Sequence, residues 1–202
     1  NTLTVIKDPI PGVEVINGAP ATGGRDMEKL DNALLRGPHQ VKAYERVITA
    51  RDYERAAVRS SGGVSRALAL TRASLWAGAP AGEVEVLLLP SVDDDVALTA
   101  TAADLKQRQS DLVVSRVRDA LAEQQPLGTT TKVGWAGLKD FHVEVKNIVV
   151  YRAEDRVAVT QRLHDRLRRA LTPLPVGGTG WPFGEPLRAS TVYDVLLAER
   201  GV

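Results

Sequence analysis

The chain of 202 residues contains no cysteine, and only three of its residues are histidine. The first absence excludes disulfide bonds, thiol nucleophiles and cysteine-based zinc sites. No Gly-x-Ser-x-Gly nucleophile elbow is present, and none of His39, His142 and His164 stands in a setting typical of a catalytic base. We therefore expect all three histidines to be ordinary surface residues, and we predict no catalytic residue.

Aromatic residues make up 4% of the chain, so we expect a core built from valine, leucine, isoleucine and alanine. No apolar stretch approaches the ~20 residues needed to span a bilayer, and no signal-peptide pattern is visible. We therefore predict no membrane span. Because the chain begins with Asn1 rather than methionine, we expect it to be one stretch of a longer polypeptide.

Neither sign of charge dominates, since the chain has 26 basic and 25 acidic residues. The overall balance therefore does not point to a nucleic acid or an anionic membrane as a partner. Basic residues are concentrated in a predicted helix over residues 155–171, which carries Arg156, Arg162, Arg166, Arg168 and Arg169. A nucleic-acid-binding module is one alternative hypothesis for this helix. However, Asp155 and Asp165 interrupt it and no aromatic residue joins it, so we expect no nucleic-acid partner.

Three consecutive carboxylates, Asp93, Asp94 and Asp95, form the main acidic cluster. Adjacent carboxylates can bind a hard cation, so a metal-dependent hydrolase that uses this run is a second alternative hypothesis. The run lacks the alternating spacing and the glycine of an EF-hand loop, and we expect a solvated turn without metal. The glycine-rich stretches elsewhere lack the Gly-Lys-Ser/Thr of a phosphate-binding loop, so we predict no cofactor.

Proline and glycine recur often near the start of the chain. This predicts an extended connector over residues 1–40, with a short strand over 2–6 and a short helix over 25–36. Two compact units should follow, over residues 41–136 and 137–202. Helices and strands alternate without the regularity of a doubly wound sheet, so we predict an α+β fold. The expected architecture is small ferredoxin-like or split βαβ units, with helices covering one face of each sheet.

In the first unit, Thr49 and Asp52 form an N-terminal capping pattern, followed by a helix with Tyr53, Ala56 and Ala57 on its inner face. The predicted elements that follow are strands over residues 64–73 and 83–89, one helix over 103–125, and a strand over 129–133. In the first strand we expect Val64, Leu68 and Leu70 to alternate inward. The long helix should bury a stripe of Leu105, Leu112, Val113, Val117, Ala120 and Leu121.

In the second unit the phase of apolar residues slips near Asn147, which predicts a bulge within a strand. The predicted elements are that strand over residues 142–151, a helix over 155–171, a loop over 172–186, a short strand over 187–189 and a final helix from Ser190. The inner face of the last helix should comprise Val192, Val195 and Leu196.

The loop between the last two helices contains the most distinctive local sequence, Gly178-Thr-Gly-Trp-Pro-Phe-Gly184. Glycine permits positive φ and Pro182 fixes one dihedral, so the loop can hold a single rigid shape. Two interpretations of Trp181 and Phe183 remain open. They form either a hydrophobic plug that packs the loop onto its own domain, or an anchor for a partner protein.

The chain resembles the baseplate J-like, or wedge, proteins of contractile phage tails and the long baseplate assembly proteins of extracellular contractile injection systems. The stretches that carry the resemblance are Asn17-Gly-Ala-Pro-Ala-Thr-Gly-Gly24, Arg46-Val-Ile-Thr-Ala-Arg-Asp-Tyr-Glu54 with Gly63-Val-Ser-Arg-Ala67, Gln125-Pro-Leu-Gly-Thr129, and the Trp-Pro-Phe-Gly loop. The Arg46–Glu54 stretch and the loop are the more specific parts, and the order of all four matches the family.

The resemblance implies a structural role without enzymatic activity. Such proteins form wedges around a central spike, usually in six-fold arrays, and they contact other wedge subunits, the hub or spike, and sheath-proximal proteins. The particle is assembled in the bacterial cytoplasm, with or without later release. In this chain, the residues we expect at interfaces, or at the packing that positions them, are Trp181, Pro182, Phe183, Thr49, Asp52 and Tyr53.

Overall fold

The fold is seen in a computed structural model, which describes residues 46–71, 80–93, 96–176 and 180–201, with the isolated positions 11, 30, 31, 33, 34, 37 and 38. The strand predicted over residues 2–6 lies outside the described residues. So does most of the helix predicted over 25–36, of which positions 30, 31, 33 and 34 are described and helical.

The centre of the fold is a three-stranded mixed sheet. Its strands are β1 (Val64–Leu70), β2 (Glu83–Pro90) and β3 (Thr130–Trp135), in the order β1-β2-β3. β1 and β2 pair antiparallel, whereas β2 and β3 pair parallel. A parallel pair needs a crossover connection, and two helices supply it here: α2 (Ala102–Gln107) and α3 (Asp111–Gln124). The fold is α+β, as the sequence predicts, with helices packed against the sheet.

β1 starts where predicted, but its burial does not alternate as expected. The pairing register with β2 shifts between Val64 and Arg66, and Val64 and Ala69 become the buried residues. Leu68 and Leu70 are only partly buried. An irregularity of this kind moves later side chains to the opposite face, which the simple alternation could not show.

The first helix, α1 (Ala50–Ser60), begins with the predicted cap. The Thr49 amide donates to Asp52 Oδ2 at 2.8 Å, and the Asp52 amide donates to Thr49 Oγ1 at 3.3 Å. The inner face of α1 joins a core with β2 and α3. The buried members of this first cluster are Val47, Tyr53, Ala56, Ala57, Val64, Ala69, Val84, Val86, Leu88, Val113, Val117 and Leu121.

The single helix predicted over residues 103–125 is wrong, because the chain breaks into α2 and α3. Ser110 has extended dihedrals (φ −126°, ψ 131°) and starts a new helix. The break lets Leu105 enter a second cluster with Leu89, Ala97 and Leu174, while α3 faces the first cluster. Leu112, predicted in the stripe, is 62% exposed as a result.

The last two helices are α4 (Arg156–Leu171) and α5 (Ala189–Leu197), close to their predicted bounds. The Val157 amide donates to the carboxylate of Asp155, which caps α4. A third cluster, formed by Val159, Leu163 and Leu196, packs the two helices together.

Two predicted strands of the second unit are absent from the described residues. Residues 142–151 form no strand, and the predicted bulge corresponds to a single left-handed residue, Asn147, with φ 61°. The residues predicted as a strand over 187–189 run irregularly into α5. Alternating side chains are present over 142–151, but a strand also requires a neighbour for its backbone groups, and the described chain provides none.

Candidate interaction site at the Trp181 loop

The loop between α4 and α5 closes onto the end of α4. The Trp181 amide donates to the carbonyl oxygen of Thr172 at 2.8 Å, and the Trp181 indole Nε1 donates to the carbonyl oxygen of Glu185 at 3.1 Å. Gly180 has φ +71°, and a Cβ placed there would lie 2.5 Å from the carbonyl oxygen of Pro173. Both the dihedral and the close approach require glycine at this position.

Arg66 of β1 is the residue that connects this loop to the sheet. Its Nη1 atom donates to the carbonyl oxygens of Pro173 at 2.6 Å and Trp181 at 2.9 Å. The guanidinium carbon lies 4.9 Å from the centroid of the Phe183 ring, within the range of a cation–π contact. One side chain therefore binds both ends of the loop and its aromatic tip.

Glu54 of α1 lies near the same arginine. Burial lowers the pKa of Arg66, and the negative charge of Glu54 opposes that effect. The Glu54 carboxylate also accepts a hydrogen bond from the Ala69 amide at 3.2 Å, so it links α1 to β1. Glu54 thus contacts β1 at Ala69 and acts on Arg66 through its charge, while Arg66 makes the contacts with the loop.

Neither aromatic residue of the loop projects freely into solvent. Phe183 packs against the second cluster, and Trp181 is partly buried with its indole nitrogen bound. In this chain the two residues are packed as a plug, and Pro182 between them is exposed. Any partner would meet the rim of this loop rather than the full faces of its aromatic rings.

The other predicted interface residues lie at the start of α1 and are not part of the loop contacts. Tyr53 is 2% exposed, and burial raises the pKa of its hydroxyl, which lies beside Thr129 and Thr131. Burial opposes ionisation of Asp52, but hydrogen bonds from Thr49 and Ile48 outweigh it and lower the pKa of this carboxyl. These residues stabilise α1 and its packing.

Sequence analysis missed Arg66 and Glu54. A signal for Arg66 was present, since it is the one charged side chain in the segment Val64–Leu70. A charge in such a strand needs a partner when it is partly buried. Its partners are main-chain carbonyls more than 100 positions away, which no local pattern can reveal.

Some of the residues on which the metal and nucleic-acid hypotheses depend form ion pairs within the chain. Asp93 lies 3.8 Å from Arg108, while Asp94 and Asp95 fall outside the described residues. Among the residues that the structure describes, no group of three or more His, Asp or Glu side chains is placed to hold a metal ion. In the arginine-rich helix α4, Arg162 and Arg166 bind the Glu199 carboxylate at 2.8 Å and 3.2 Å.

The histidines that can be checked are exposed, as predicted: His142 and His164 lie at the surface, and His39 is outside the described residues. Within the described ranges no helix is long and apolar enough to cross a bilayer, as the sequence predicts. Comparison with protein-family models gives no match, and comparison with curated proteins gives none either.

Proposed function

We propose that this protein is a structural baseplate wedge component of a contractile injection system or a phage-like contractile tail. It joins spike or hub proteins to sheath-proximal proteins through protein–protein contacts, in a six-fold assembly with other wedge subunits. It works as a scaffold and not as an enzyme. The proposal starts from the resemblance of four sequence stretches to baseplate wedge proteins.

The observation that carries the proposal is that two of the four stretches contact each other across the fold. Arg66 belongs to the stretch Gly63-Val-Ser-Arg-Ala67 and binds the Trp-Pro-Phe-Gly loop, while Glu54 ends the preceding stretch and lies near Arg66. The residues of these stretches include no catalytic group, and they are joined across the fold. This fits a role in fixing the relative positions of the strand, the helices and the loop. That rigidity is what a subunit of a large assembly needs.

A second contact places the Arg46–Glu54 stretch beside the start of a third stretch. The Val47 amide donates to the carbonyl oxygen of Gln124 at 3.1 Å, immediately before the Gln125-Pro-Leu-Gly-Thr129 stretch. The turn in that stretch exposes Leu127 completely. A fully exposed leucine at the tip of a tight turn suits contact with another protein, since apolar side chains supply much of the binding energy at interface centres.

The chemistry of the site also supports a scaffold. The donors of Arg66 bind main-chain carbonyls, and the Trp181 loop contains no pairing of a nucleophile with a base such as hydrolysis requires. In α4, Arg162 and Arg166 are engaged by Glu199 within the chain, which leaves fewer of its arginines for the nucleic-acid alternative.

The proposal is tested in the cell that produces the particle. Deletion of the gene should give particles without complete baseplates, and complementation with the wild-type gene should restore them in electron micrographs. Arg66→Ala should reduce the fraction of complete baseplates, whereas Arg59→Ala, at an exposed position of α1, should not. Complete baseplates and normally attached sheaths in the deletion strain would show that the proposal is wrong.

A further inference from the structure

Residues 137–150 form a segment without regular secondary structure, and its backbone groups have no hydrogen-bonding neighbour among the described residues. No turn or bend interrupts the segment. The residues at its two ends are fixed, because the Ala136 amide donates to the Leu88 carbonyl and the Tyr151 amide to the Gly201 carbonyl. Between them, no backbone amide or carbonyl makes a hydrogen bond within the described chain. Such a row of unpaired groups is the edge that a further strand can join.

Over residues 143–146 the side chains alternate between partly buried and exposed, as in a half-buried strand. Val145 and Val150 pack against the third cluster between α4 and α5, whereas Glu144 and Lys146 are exposed. One face therefore already has its helical layer. A single unpaired segment on two helices is an incomplete layer, because a stable sheet requires paired strands.

The charges around Val145 identify the strand that would fit. If a second copy pairs antiparallel with Val145 opposite Val145, then Glu144 of each copy faces Lys146 of the other, and Val143 faces Asn147. Shifting the pairing register by two residues also keeps the helices of both copies on the same side of the strand pair. Such a shift, however, places Glu144 opposite Glu144 or Lys146 opposite Lys146. Opposite charges directly across a strand pair stabilise it, and like charges destabilise it.

We infer that two copies of this chain associate by antiparallel pairing of residues 143–147, with the two-fold axis at Val145. The left-handed Asn147 (φ 61°) limits the regular pairing to these five residues, about the length of an average strand. A cleft of about 290 Å³ borders the segment, and its lining includes Tyr193 and Leu197, which are 61% and 67% exposed. Association would extend the apolar surface that is buried beside this cleft. The inference does not depend on the proposed role in a baseplate.

Charge reversal tests the register. The wild-type chain should be a concentration-dependent dimer in sedimentation equilibrium. Glu144→Lys and Lys146→Glu should each weaken the dimer about tenfold or more, because two opposite-charge pairs become like-charge pairs. The double variant, and an equimolar mixture of the two single variants, should dimerise like the wild type.

The equimolar mixture of the two single variants is the decisive measurement. In the single chain, Lys146 Nζ lies 3.5 Å from Glu144 Oε1, so each reversal also changes a pair within one copy. Mixing two different chains cannot repair that internal pair, and it restores only pairs between copies. A wild type that remains monomeric at every concentration, or single variants that dimerise as well as the wild type, would overturn the inference. So would a mixture that stays monomeric while the double variant dimerises.

Cross-linking gives an independent test. Because the chain contains no cysteine, an introduced cysteine is its only thiol. Val145→Cys places a thiol opposite its own copy, at a separation that a disulfide can bridge, so oxidation should give a covalent dimer. Glu144→Cys is the matched control, since it faces Lys146 and should cross-link more slowly. Equal or faster cross-linking of Glu144→Cys would contradict the proposed register.

Discussion

Arg66 Nη1 lies 2.9 Å from the carbonyl oxygen of Trp181, and this hydrogen bond spans 115 positions of sequence. It joins an edge strand of the sheet to the loop that precedes the last helix. The same side chain also binds Pro173 and contacts Phe183, so this one residue joins the sheet to both ends of the loop and to its aromatic tip. The structure therefore predicts large effects from substitutions that sequence analysis would treat as ordinary.

Arg66→Ala should lower the free energy of unfolding by about 2 kcal/mol, since hydrogen bonds from a charged group contribute about 1.5–3 kcal/mol. The substitution removes both hydrogen bonds to carbonyl oxygens and the contact with Phe183. Denaturant unfolding of the purified protein measures the loss. Arg66→Lys should recover only part of it, because a lysine ammonium does not reproduce the planar guanidinium that lies over the Phe183 ring.

The matched control is Arg59→Ala, at an exposed position in the last turn of α1. We expect it to change the free energy of unfolding by less than about 0.5 kcal/mol, as for most surface substitutions. Equal losses from the two alanine variants would mean that Arg66 does not hold the loop.

Gly180→Ala should destabilise the protein more than Gly184→Ala. Both glycines have φ +71°, so both substitutions meet the left-handed penalty of about 1–2 kcal/mol. Only at Gly180 would the added Cβ also lie 2.5 Å from the Pro173 carbonyl oxygen, whereas the space at Gly184 is open. Thermal unfolding of the two variants separates steric overlap from backbone strain, and equal melting temperatures would contradict the packing described for Gly180.

Local sequence signals predicted the helices α1 and α4, but not the absence of strands over residues 142–151 and 187–189. The cap formed by Thr49 and Asp52 and the cap at Asp155 depend on side chains within a few positions of the helix start, and the structure confirms both helices. The break at Ser110 was missed because it depends on the tertiary fold and not on nearby side chains. Leu105 and Val113 belong to different clusters, and the cluster that a residue joins is decided by the tertiary fold.

The candidate site was predicted only in part. The glycine and aromatic residues around Trp181 indicated a rigid loop, because their conformational properties are local. Arg66 and Glu54 were missed because the partners of a buried charge can be far away in the sequence. The fold brings those partners close, and the spacing of residues along the chain does not reveal them. The choice between a plug and an anchor likewise required the position of the second cluster, which Phe183 contacts.

Alanine substitutions in α3 should distinguish the observed break from one continuous helix. Leu121 is fully buried, so Leu121→Ala should lower the free energy of unfolding by about 2–5 kcal/mol. Leu112 is 62% exposed, and Leu112→Ala should change it by less than about 0.5 kcal/mol. A continuous amphipathic helix over residues 103–125 would instead make both substitutions costly, so a large loss at Leu112 would argue against the break at Ser110.

The cap of α1 should contribute a pH-dependent part of the stability. The pKa of Asp52 in the folded protein is lowered from its ordinary value of 3.8, because hydrogen bonds from Thr49 and Ile48 outweigh the effect of burial. A carboxyl with a depressed folded pKa binds fewer protons in the folded state than in the unfolded state. Its contribution is therefore fully present above the unfolded pKa, near 3.8, and is lost as the pH falls through the lower folded pKa.

Asp52→Asn isolates this contribution, since the amide can still accept a hydrogen bond but does not titrate. Unfolding free energies measured across the acidic range should converge for wild type and variant at the lowest pH and diverge as Asp52 ionises. Asp104 of α2 has the same capping geometry with Thr101, so Asp104→Asn is the matched comparison. Because α1 packs directly on the sheet and the first cluster, the Asp52 variant should show the larger pH-dependent loss of global stability. If the wild-type and Asp52→Asn curves run parallel through the acidic range, the cap does not account for the pH dependence.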